Sequence, residues 1–351
     1  MNPELNIDFY KADHKSQYPK RTTMIYSNFT PRSSRLANMG KLFDDKVVVF
    51  GIQAWIKDFL IKEWNENFFN KPLEEVLARY KRRMDTSLGE GAVSIKEIEG
   101  LHNLGYLPIL IKALPEGSRC GIKVPVLTIR NTLPQFFWLT NYLESVMSAD
   151  LWKPMTTATI AYEYRRILTK YAQETGAPLD FIPVQAHDFS FRGMSGRHDA
   201  KFSGMGHLTS FVGTDTVSAI DSVEEFYNVD STKELIGCSV PATEHSVMCM
   251  GTKEDEIETF RRLITETYPS GIVSIVSDTW DFWKVMTEFT VELKDEILSR
   301  KPNALGLCKT TLRSDSGDPV KVLCGYKFLE ENFVNDQGAL TAVDEHYCLT
   351  E

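Results

Sequence analysis

Apolar residues in the first part of the chain recur at two different spacings. In residues 47–69 they follow the spacing of an amphipathic helix, at Val48, Ile52, Trp55, Ile56, Phe59 and Leu60. Similar patterns predict helices over 73–84, 136–148 and 157–174, the last ending before Gly176. Alternating or continuous apolar runs predict strands over 107–114 and 124–129, whereas residues 1–45 form a polar, irregular arm.

Beyond residue 180 the chain changes to short apolar segments that each end in polar residues. The segments are 184–188, 209–215, 237–245, 273–278 and 311–317, and their polar ends are Asp188, Asp215, His245, Asp278 and Asp315. Successive ends are 27, 30, 33 and 37 residues apart, close to the roughly 30 residues of a strand–helix–strand unit. Because ligands bind at the carboxyl ends of parallel strands, this spacing predicts an α/β fold with one pocket at the five tips.

The change of pattern also predicts two domains. Residues 1–150 would form an N-terminal α+β domain, whose arm (1–45) stays exposed or contacts a partner subunit, and residues 151–351 a barrel-like catalytic domain. A complete eight-stranded α/β barrel takes about 250 residues. We therefore expect an incomplete (β/α) barrel, and three explanations stay open: a truncated chain, a second polypeptide that completes the barrel, or a non-catalytic relative.

Composition and missing motifs argue against several classes of function. The 351 residues carry a formal charge of −9 and a pI of about 5.4, which disfavours a broad nucleic-acid surface. The sequence has no basic–apolar leader, no apolar run near the roughly 18 residues of a membrane span, and no P-loop or Rossmann motif. Its six cysteines form no C-x-x-C pair. We expect a cytoplasmic protein with free thiols and with neither a membrane nor a nucleic-acid partner.

Two strand tips carry groups suited to a flat, polar ligand. Phe189 can stack on an aromatic ring, and Arg192, beside Gly193, can bind a carbonyl or phosphate. Asp215 offers a carboxylate at a predicted helix start. Strand capping, aromatic packing and an ordinary helix cap explain the same residues without a ligand, so both interpretations stay open.

The later tips carry groups suited to phosphate chemistry. Glu244 precedes His245, and a carboxylate that holds an imidazole favours its use as a general base or phosphoryl acceptor. Arg313 suits a phosphate or carbonyl, and Asp315 suits a ribose hydroxyl or Mg²⁺. A histidine satisfied by its neighbours and a plain Asp-Ser-Gly turn are the alternatives from the residues alone.

Taken in order, these motifs resemble the nicotinamide phosphoribosyltransferase family of bacteria and their phages. The resemblance runs along the whole chain, through the segments Asp8-Phe9-Tyr10-Lys11, Tyr26-Ser27-Asn28-Phe29, Phe50-Gly51-Ile52-Gln53, Trp138-Leu139-Thr140-Asn141, 187–193, Gly213-Thr214-Asp215-Thr216, 239–246, Val276-Ser277-Asp278 and 313–319. It implies a type II phosphoribosyltransferase fold and a homodimer with its active site at the interface. The implied reaction converts nicotinamide and phosphoribosyl pyrophosphate into nicotinamide mononucleotide and pyrophosphate, with Mg²⁺ as cofactor and ATP as co-substrate.

For the pyridine base, the resemblance implies a sandwich between Phe189 and Tyr10 of the partner subunit. Asp215 would accept the carboxamide N–H, and the carboxylate of nicotinate would be costly to place against it because like charges repel. The other residues implied to contact the base or the phosphoribosyl group are Arg192, Ser239, Val240, Ala242, Ser274 and Arg313.

For the phosphates, the resemblance implies that ATP phosphorylates His245, with Glu244 and Asp278 orienting the imidazole. Asp315 would hold ribose hydroxyls or Mg²⁺, and Arg32 would contact a phosphate. Displacement at the anomeric carbon would pass through an oxocarbenium-like state, and Mg²⁺ would neutralise the departing pyrophosphate.

Three other functions stay open. Nicotinate phosphoribosyltransferase is the nearest, and Asp215 is the residue that distinguishes it. A module that binds nicotinamide or a nucleotide without turnover follows if the phosphate-binding loops that the family carries further along are missing. A barrel glycosidase would use a pair of carboxylates from Asp188, Asp215, Asp278 and Asp315.

Overall fold

The strands of this chain pair antiparallel in its first part and parallel in its later part. A computed structural model describes residues 2–37, 39 and 42–325. Within these ranges the strands are β1 (Tyr26–Phe29), β2 (Lys46–Val48), β3 (Ile109–Ala113), β4 (Arg119–Gly121), β5 (Leu127–Asn131), β6 (His187–Asp188), β7 (Gly213–Thr214), β8 (Ile272–Val276) and β9 (Lys309–Arg313). Contacts between residues divide the chain into a first unit, 1–239, and a second unit, 240–351.

Helices make up most of the remaining described structure. The α-helices are α1 (Lys11–Gln17), α2 (Ile52–Trp55), α3 (Leu73–Leu88), α4 (Lys96–Leu104), α5 (Leu139–Tyr142), α6 (Glu144–Thr175), α7 (Arg197–His207), α8 (Val217–Tyr227), α9 (His245–Met250), α10 (Glu256–Arg262), α11 (Phe282–Lys284), α12 (Thr290–Glu292), α13 (Lys294–Ser299) and α14 (Pro319–Cys324). π-Helical stretches cover Ile56–Glu63, Asn65–Phe69, Leu263–Thr267 and Val285–Phe289. No helix in the described ranges is both long and apolar enough to cross a membrane.

In the first unit, β5 lies at the centre of an antiparallel sheet in the order β1-β5-β3. Leu127 and Ile129 of β5 are buried, and Thr128 between them is less buried, as expected for a strand with one face on the core. The core includes Trp55, Trp64 and Tyr80, all fully buried. The predicted strands 107–114 and 124–129 are therefore confirmed, with shifted ends.

The helix predicted over 47–69 begins later than its apolar pattern indicates. Lys46–Val48 forms β2 and pairs antiparallel with β4, and helical structure starts at Ile52. Gly51 between them has φ of 90°, a left-handed conformation that interrupts both elements and favours glycine. Val48 is buried in the strand, so its apolar character fits either structure.

The two helices predicted over 136–148 and 157–174 are mostly one helix, α6 (Glu144–Thr175). The gap between the two predicted helices, 149–156, contains Pro154, which nevertheless lies inside the helix. Helix α7 packs closely there, because a Cβ on Gly206 would come within 2.6 Å of the Pro154 carbonyl oxygen. Tertiary packing has therefore overridden the local preference of proline.

The parallel pairs occupy the strand tips predicted from the sequence. In the first unit β6 pairs with β7, and Gly213 also bridges to Cys238. In the second unit β8 pairs with β9, from Ile272 opposite Lys309 to Val276 opposite Arg313, and Ala242 bridges to Ser274. The strand predicted over 273–278 is confirmed, whereas those over 184–188, 209–215 and 237–245 are reduced to pairs or single bridges.

The predicted domain boundary after residue 150 lies inside α6, and the division by contacts falls between Ser239 and Val240. The division into an N-terminal α+β domain (1–150) and a barrel-like domain (151–351) stays a prediction.

Candidate active site

At the carboxyl ends of β6 and β7, two side chains hold the carboxylate of Asp215. His187 Nε2 lies 2.8 Å and Ser239 Oγ lies 2.7 Å from the same oxygen, Asp215 Oδ1. The ring of Phe189 lies beside that of His187, with 4.6 Å between the ring centroids. His187, Phe189, Asp215 and Ser239 are called the Asp215 group below.

Within the Asp215 group, the carboxylate is more exposed than the imidazole. The exposed fraction of the side chain is 40% for Asp215 and 25% for His187, and Phe189 is exposed as well. An ionised carboxylate only accepts hydrogen bonds, so the His187 Nε2–H and the Ser239 hydroxyl are the donors. The group therefore offers a ligand a negatively charged acceptor and an aromatic face.

The buried carboxylate of Asp188 fixes the shape of this strand end. Its Oδ1 accepts the Ser190 N–H at 2.9 Å, and its Oδ2 accepts the Thr216 hydroxyl at 2.8 Å. Burial alone would raise the pKa of Asp188, but the hydrogen bonds from Ser190 and Thr216 outweigh it and hold the pKa below its usual value. The Asp188 carbonyl also accepts the Asp215 N–H at 2.9 Å, so this carboxylate supports the turn that carries Asp215.

Three further residues predicted to bind substrate are exposed in the first unit. Arg192 lies in a single 3-10 turn, Phe191–Gly193, shortly after Phe189. Tyr10 immediately precedes α1, and its ring meets that of His14 edge-on. Arg32 is exposed between β1 and β2. Their roles in ligand binding, including that of Tyr10 in a partner subunit's site, stay predictions.

At the carboxyl ends of β8 and β9, the imidazole of His245 faces two aspartates. Its Nε2 lies 3.1 Å from Asp278 Oδ1, and its Nδ1 lies 3.9 Å from Asp315 Oδ2. Arg313 donates from Nη1 to Asp315 Oδ1 at 2.7 Å and from Nη2 to the Thr243 carbonyl at 2.9 Å. His245, Asp278, Arg313 and Asp315 are called the His245 group below.

Asp278 is the buried member of the His245 group. Its side chain is 6% exposed, compared with 46% for His245. Its Oδ2 accepts the Asp315 N–H at 2.9 Å and the Ser316 hydroxyl at 2.6 Å. Burial alone would raise the pKa of Asp278, but the hydrogen bonds from Ser316, Asp315 and His245 outweigh it and lower the pKa. An ionised Asp278 accepts the His245 Nε2–H, which leaves the imidazole lone pair on Nδ1.

The sequence predicted that both Glu244 and Asp278 orient His245. In the structure, Glu244 accepts a hydrogen bond from the Ser246 hydroxyl. Among the described residues, the carboxylate within hydrogen-bond distance of the imidazole is that of Asp278. Glu244 adjoins His245 in sequence and lies immediately before α9, but it contacts a different side chain.

Three residues predicted to line the base site lie in β8 or in the segment that leads to its bridge partner in the second unit. Ala242 is exposed and pairs with Ser274 in a parallel bridge. Ser274 is buried in the middle of β8, and its N–H donates to the Pro241 carbonyl at 2.8 Å. Val240 is half-buried. The described contacts join site residues within each unit, and the prediction that all five tips share one pocket stays a prediction.

A cavity of about 490 Å³ adjoins the end of β9, and Arg313, Asp315 and Ser316 are among its lining residues. No three histidine, cysteine, aspartate or glutamate side chains in the described ranges converge as a metal site. Mg²⁺ is often bound by one or two carboxylates together with substrate phosphates. The exposed carboxylate of Asp315 fits that mode of binding.

Two residues with structural roles at the site were not assigned from the sequence. His187 binds Asp215, and Ser316 donates to Asp278. Both lie in segments whose strand-end pattern is recognisable from the sequence, and that pattern is the feature that could have pointed to them. Their partners depend on the pairing of β6 with β7 and of β8 with β9, and a single sequence does not give that register.

Comparison with known proteins first defines the class. The model of the nicotinate phosphoribosyltransferase family matches residues 184–350, and that of the nicotinamide phosphoribosyltransferase N-terminal domain matches residues 2–74. Crystal structures of nicotinate-nucleotide pyrophosphorylase from Pyrococcus furiosus and human nicotinic acid phosphoribosyltransferase both superpose with a TM-score of 0.50, at 14% and 15% identity. These alignments cover 92% and 93% of this chain and 61% and 63% of those chains. The fold is that of a type II phosphoribosyltransferase, which confirms the predicted α/β class.

Similar sequences then define the family. The chain is 63% identical to nicotinamide phosphoribosyltransferase from Acinetobacter baylyi, over 97% of this chain and 67% of the relative. It is 31% identical to the enzyme of that name from Xanthomonas campestris pv. campestris, over 91% of this chain and 63% of the relative. The chain belongs to the nicotinamide phosphoribosyltransferase family, which confirms the predicted class of pentosyltransferase and, for the family, phosphoribosyl transfer in NAD salvage. It spans about two thirds of the length of these two relatives.

Proposed function

We propose that this chain transfers the phosphoribosyl group of phosphoribosyl pyrophosphate to nicotinamide, giving nicotinamide mononucleotide and pyrophosphate. The observation that carries the proposal is the Asp215 group, in which the imidazole of His187 contacts both an exposed carboxylate and an exposed phenylalanine ring. A pyridine carboxamide needs both features, because its ring stacks on an aromatic face and its amide N–H requires an acceptor.

The charge of Asp215 favours nicotinamide over nicotinate. A nicotinate carboxylate would lie against another negative charge in a partly desolvated site, which is unfavourable. The second candidate, nicotinate phosphoribosyltransferase, is supported by the family model that matches residues 184–350. The ratio of activities on the two bases distinguishes the candidates.

In the transfer, the pyridine nitrogen forms a bond to the anomeric carbon while the bond from that carbon to pyrophosphate breaks. Arg313 supplies a fixed positive charge because Asp315 and the Thr243 carbonyl hold its guanidinium. Asp315 would hold Mg²⁺, which neutralises negative charge on the pyrophosphate when bound. Arg192 and Arg32 are exposed cations available to the phosphates.

The proposal includes phosphorylation of His245 by ATP. His245 Nδ1 carries the lone pair because Nε2–H donates to Asp278, so Nδ1 attacks the terminal phosphorus as the bond to ADP breaks. Water then hydrolyses the phosphohistidine. Support comes from the exposed imidazole and the buried carboxylate behind it.

The proposal also includes a homodimer in which Tyr10 of the partner subunit covers the pyridine ring. Its support is the exposure of Tyr10 next to α1, because an exposed tyrosine offers an aromatic face to a partner subunit. The cytoplasmic location and the lack of a nucleic-acid partner stay predictions from composition.

The direct test incubates the purified 351-residue chain with phosphoribosyl pyrophosphate, Mg²⁺ and either nicotinamide or nicotinate, with and without ATP. Product nucleotide is followed by mass spectrometry. We expect nicotinamide mononucleotide, formed faster with ATP. Saturable nicotinamide binding without product would support a binding module, and a folded chain that neither binds nor converts nicotinamide would refute the proposal.

A further inference from the structure

The imidazole of His187 is confined on the side away from Asp215. His187 lies opposite Gly213 in the β6–β7 pair, and a Cβ at Gly213 would come within 2.7 Å of His187 Nδ1. Phe189 packs beside the same ring. The absence of a side chain at Gly213 therefore makes room for the imidazole, and close contacts then limit its movement.

The two donors of the Asp215 group share one carboxylate oxygen. His187 Nε2–H and the Ser239 hydroxyl both bind Asp215 Oδ1. In the part of the chain that the structure describes, both side-chain donors thus act on Oδ1, and Oδ2 is left for a ligand. A carboxylate held at one oxygen cannot rotate freely about its Cβ–Cγ bond, so the direction of the other oxygen is fixed as well.

We propose that His187 is a positioning residue for the substrate base, holding Asp215 Oδ1 so that Oδ2 accepts the carboxamide N–H of nicotinamide. The proposal rests on the proposed function, because it takes nicotinamide to be the ligand of Asp215. His187 acts through the carboxylate. Without it, Ser239 is the remaining side-chain donor, and the carboxylate gains rotational freedom that ligand binding must then remove.

Two substitutions separate the hydrogen bond of His187 from the packing of its ring. His187→Phe keeps an aromatic ring for contact with Phe189 but removes the donor. His187→Gln removes the ring but can place an amide N–H near the position of Nε2. Equilibrium dialysis of the full chain with labelled nicotinamide, and separately with labelled nicotinate, gives both dissociation constants for each variant.

We expect His187→Phe to weaken nicotinamide binding about tenfold and to reduce the preference for nicotinamide over nicotinate, whereas His187→Gln should stay within about threefold of the unsubstituted chain. The reverse order, with Phe harmless and Gln damaging, would show that ring packing is what matters and would overturn the proposal. Binding unchanged in both variants would overturn it as well.

Two controls keep these outcomes distinct. If the unsubstituted chain binds no nicotinamide, the proposed function fails and the inference about His187 fails with it. If the unsubstituted chain binds nicotinamide and both variants bind it equally well, only the proposed role of His187 is refuted. If His187→Phe shows no cooperative thermal unfolding, His187→Asn replaces it. Its amide nitrogen lies near the position of Nδ1 and does not reach Asp215, so the same loss is expected.

Discussion

Each unit of this protein contains a histidine and an aspartate joined at strand tips, but the exposed partner differs. In the Asp215 group the carboxylate is the more exposed partner, and in the His245 group it is the imidazole. Under the proposed function a ligand reaches the exposed partner, while the other fixes its orientation. Similar pairs of residues can therefore offer an acceptor for an N–H group in one unit and a nucleophilic nitrogen in the other.

The hydrogen bonds to each carboxylate explain this difference. Asp278 accepts from His245, from the Asp315 N–H and from the Ser316 hydroxyl, so both of its oxygens are satisfied and it can be buried. Asp215 accepts two side-chain donors at a single oxygen and remains exposed. The number and direction of donors, more than the residue types, separate the buried carboxylate of Asp278 from the exposed carboxylate of Asp215.

The largest expected effect follows from removing the exposed imidazole. His245→Gln eliminates the nucleophilic nitrogen, so we expect no acid-labile label from γ-labelled ATP and a ratio of rates with and without ATP that falls to one. Glu244→Gln is the matched control, because Glu244 contacts Ser246, and it should retain labelling. Normal labelling of His245→Gln would place the phosphoryl acceptor elsewhere, and the exposed imidazole would not be the nucleophile.

Next in size is the effect of neutralising the exposed carboxylate. Asp215→Asn removes the charge that disfavours nicotinate, and its amide can also donate a hydrogen bond to the nicotinate carboxylate. We expect the ratio of kcat/KM for nicotinamide to that for nicotinate to fall about 10- to 100-fold. Asp221→Asn makes the same change at an exposed position on α8 and should leave the ratio intact. An unchanged kcat/KM ratio in Asp215→Asn would show that the charge of Asp215 does not determine the preference for nicotinamide.

A smaller effect is expected from neutralising the supporting carboxylate of the second unit. Asp278→Asn weakens the hydrogen bond that fixes His245 Nε2–H, so the lone pair is no longer confined to Nδ1. Labelling of His245 by ATP should slow about tenfold without disappearing. The exposed Asp295→Asn serves as the control. A complete loss would indicate that Asp278 contacts the nucleotide itself, and an unchanged rate would mean that it does not orient His245.

The sequence predicts which strand-end residues come together better than it predicts their hydrogen-bond partners. Asp215, His245, Asp278 and Asp315 stand at the ends of apolar segments, and strand ends of this kind are where α/β proteins place ligands. The structure brings each of them next to another predicted residue or to His187. The physical reason is that a buried strand has a recognisable apolar pattern and a polar end.

Proximity in sequence does not identify a partner where the contact depends on pairing between strands, and Asp278 was assigned to His245 only through the family resemblance. Glu244 is adjacent to His245 in sequence, yet Asp278, 33 residues away, holds the imidazole. That contact requires the parallel register that places Ala242 beside Ser274 and Val276 beside Arg313. The start of the helix at Ile52 was missed for a related reason, since the conformation of Gly51 and the pairing of β2 with β4 override a continuous apolar pattern.

The last prediction concerns stability instead of activity and compares the two buried carboxylates, Asp188 and Asp278. The pKa of each is lowered in the folded protein, because hydrogen bonds outweigh the effect of burial. A lowered pKa contributes stability that is present above the unfolded value of about 4 and is lost as the pH falls through the folded value. Asp188→Asn and Asp278→Asn should therefore each lower the free energy of unfolding by about 1–3 kcal/mol at pH 7.

Urea unfolding at pH 7 and at pH 3 measures this contribution, with the exposed Asp221→Asn as a control. The deficit of each buried variant should shrink at pH 3, because this pH lies below the unfolded value, so the unfolded chain takes up a proton that the folded state, with its lowered pKa, disfavours. A deficit that stays constant between the two pH values would mean that shape and packing at these positions, and not the ionised carboxylate, stabilise the strand ends. In that case the hydrogen bonds to Asp188 and Asp278 would no longer explain why the supporting carboxylates are buried and ionised while Asp215 remains exposed.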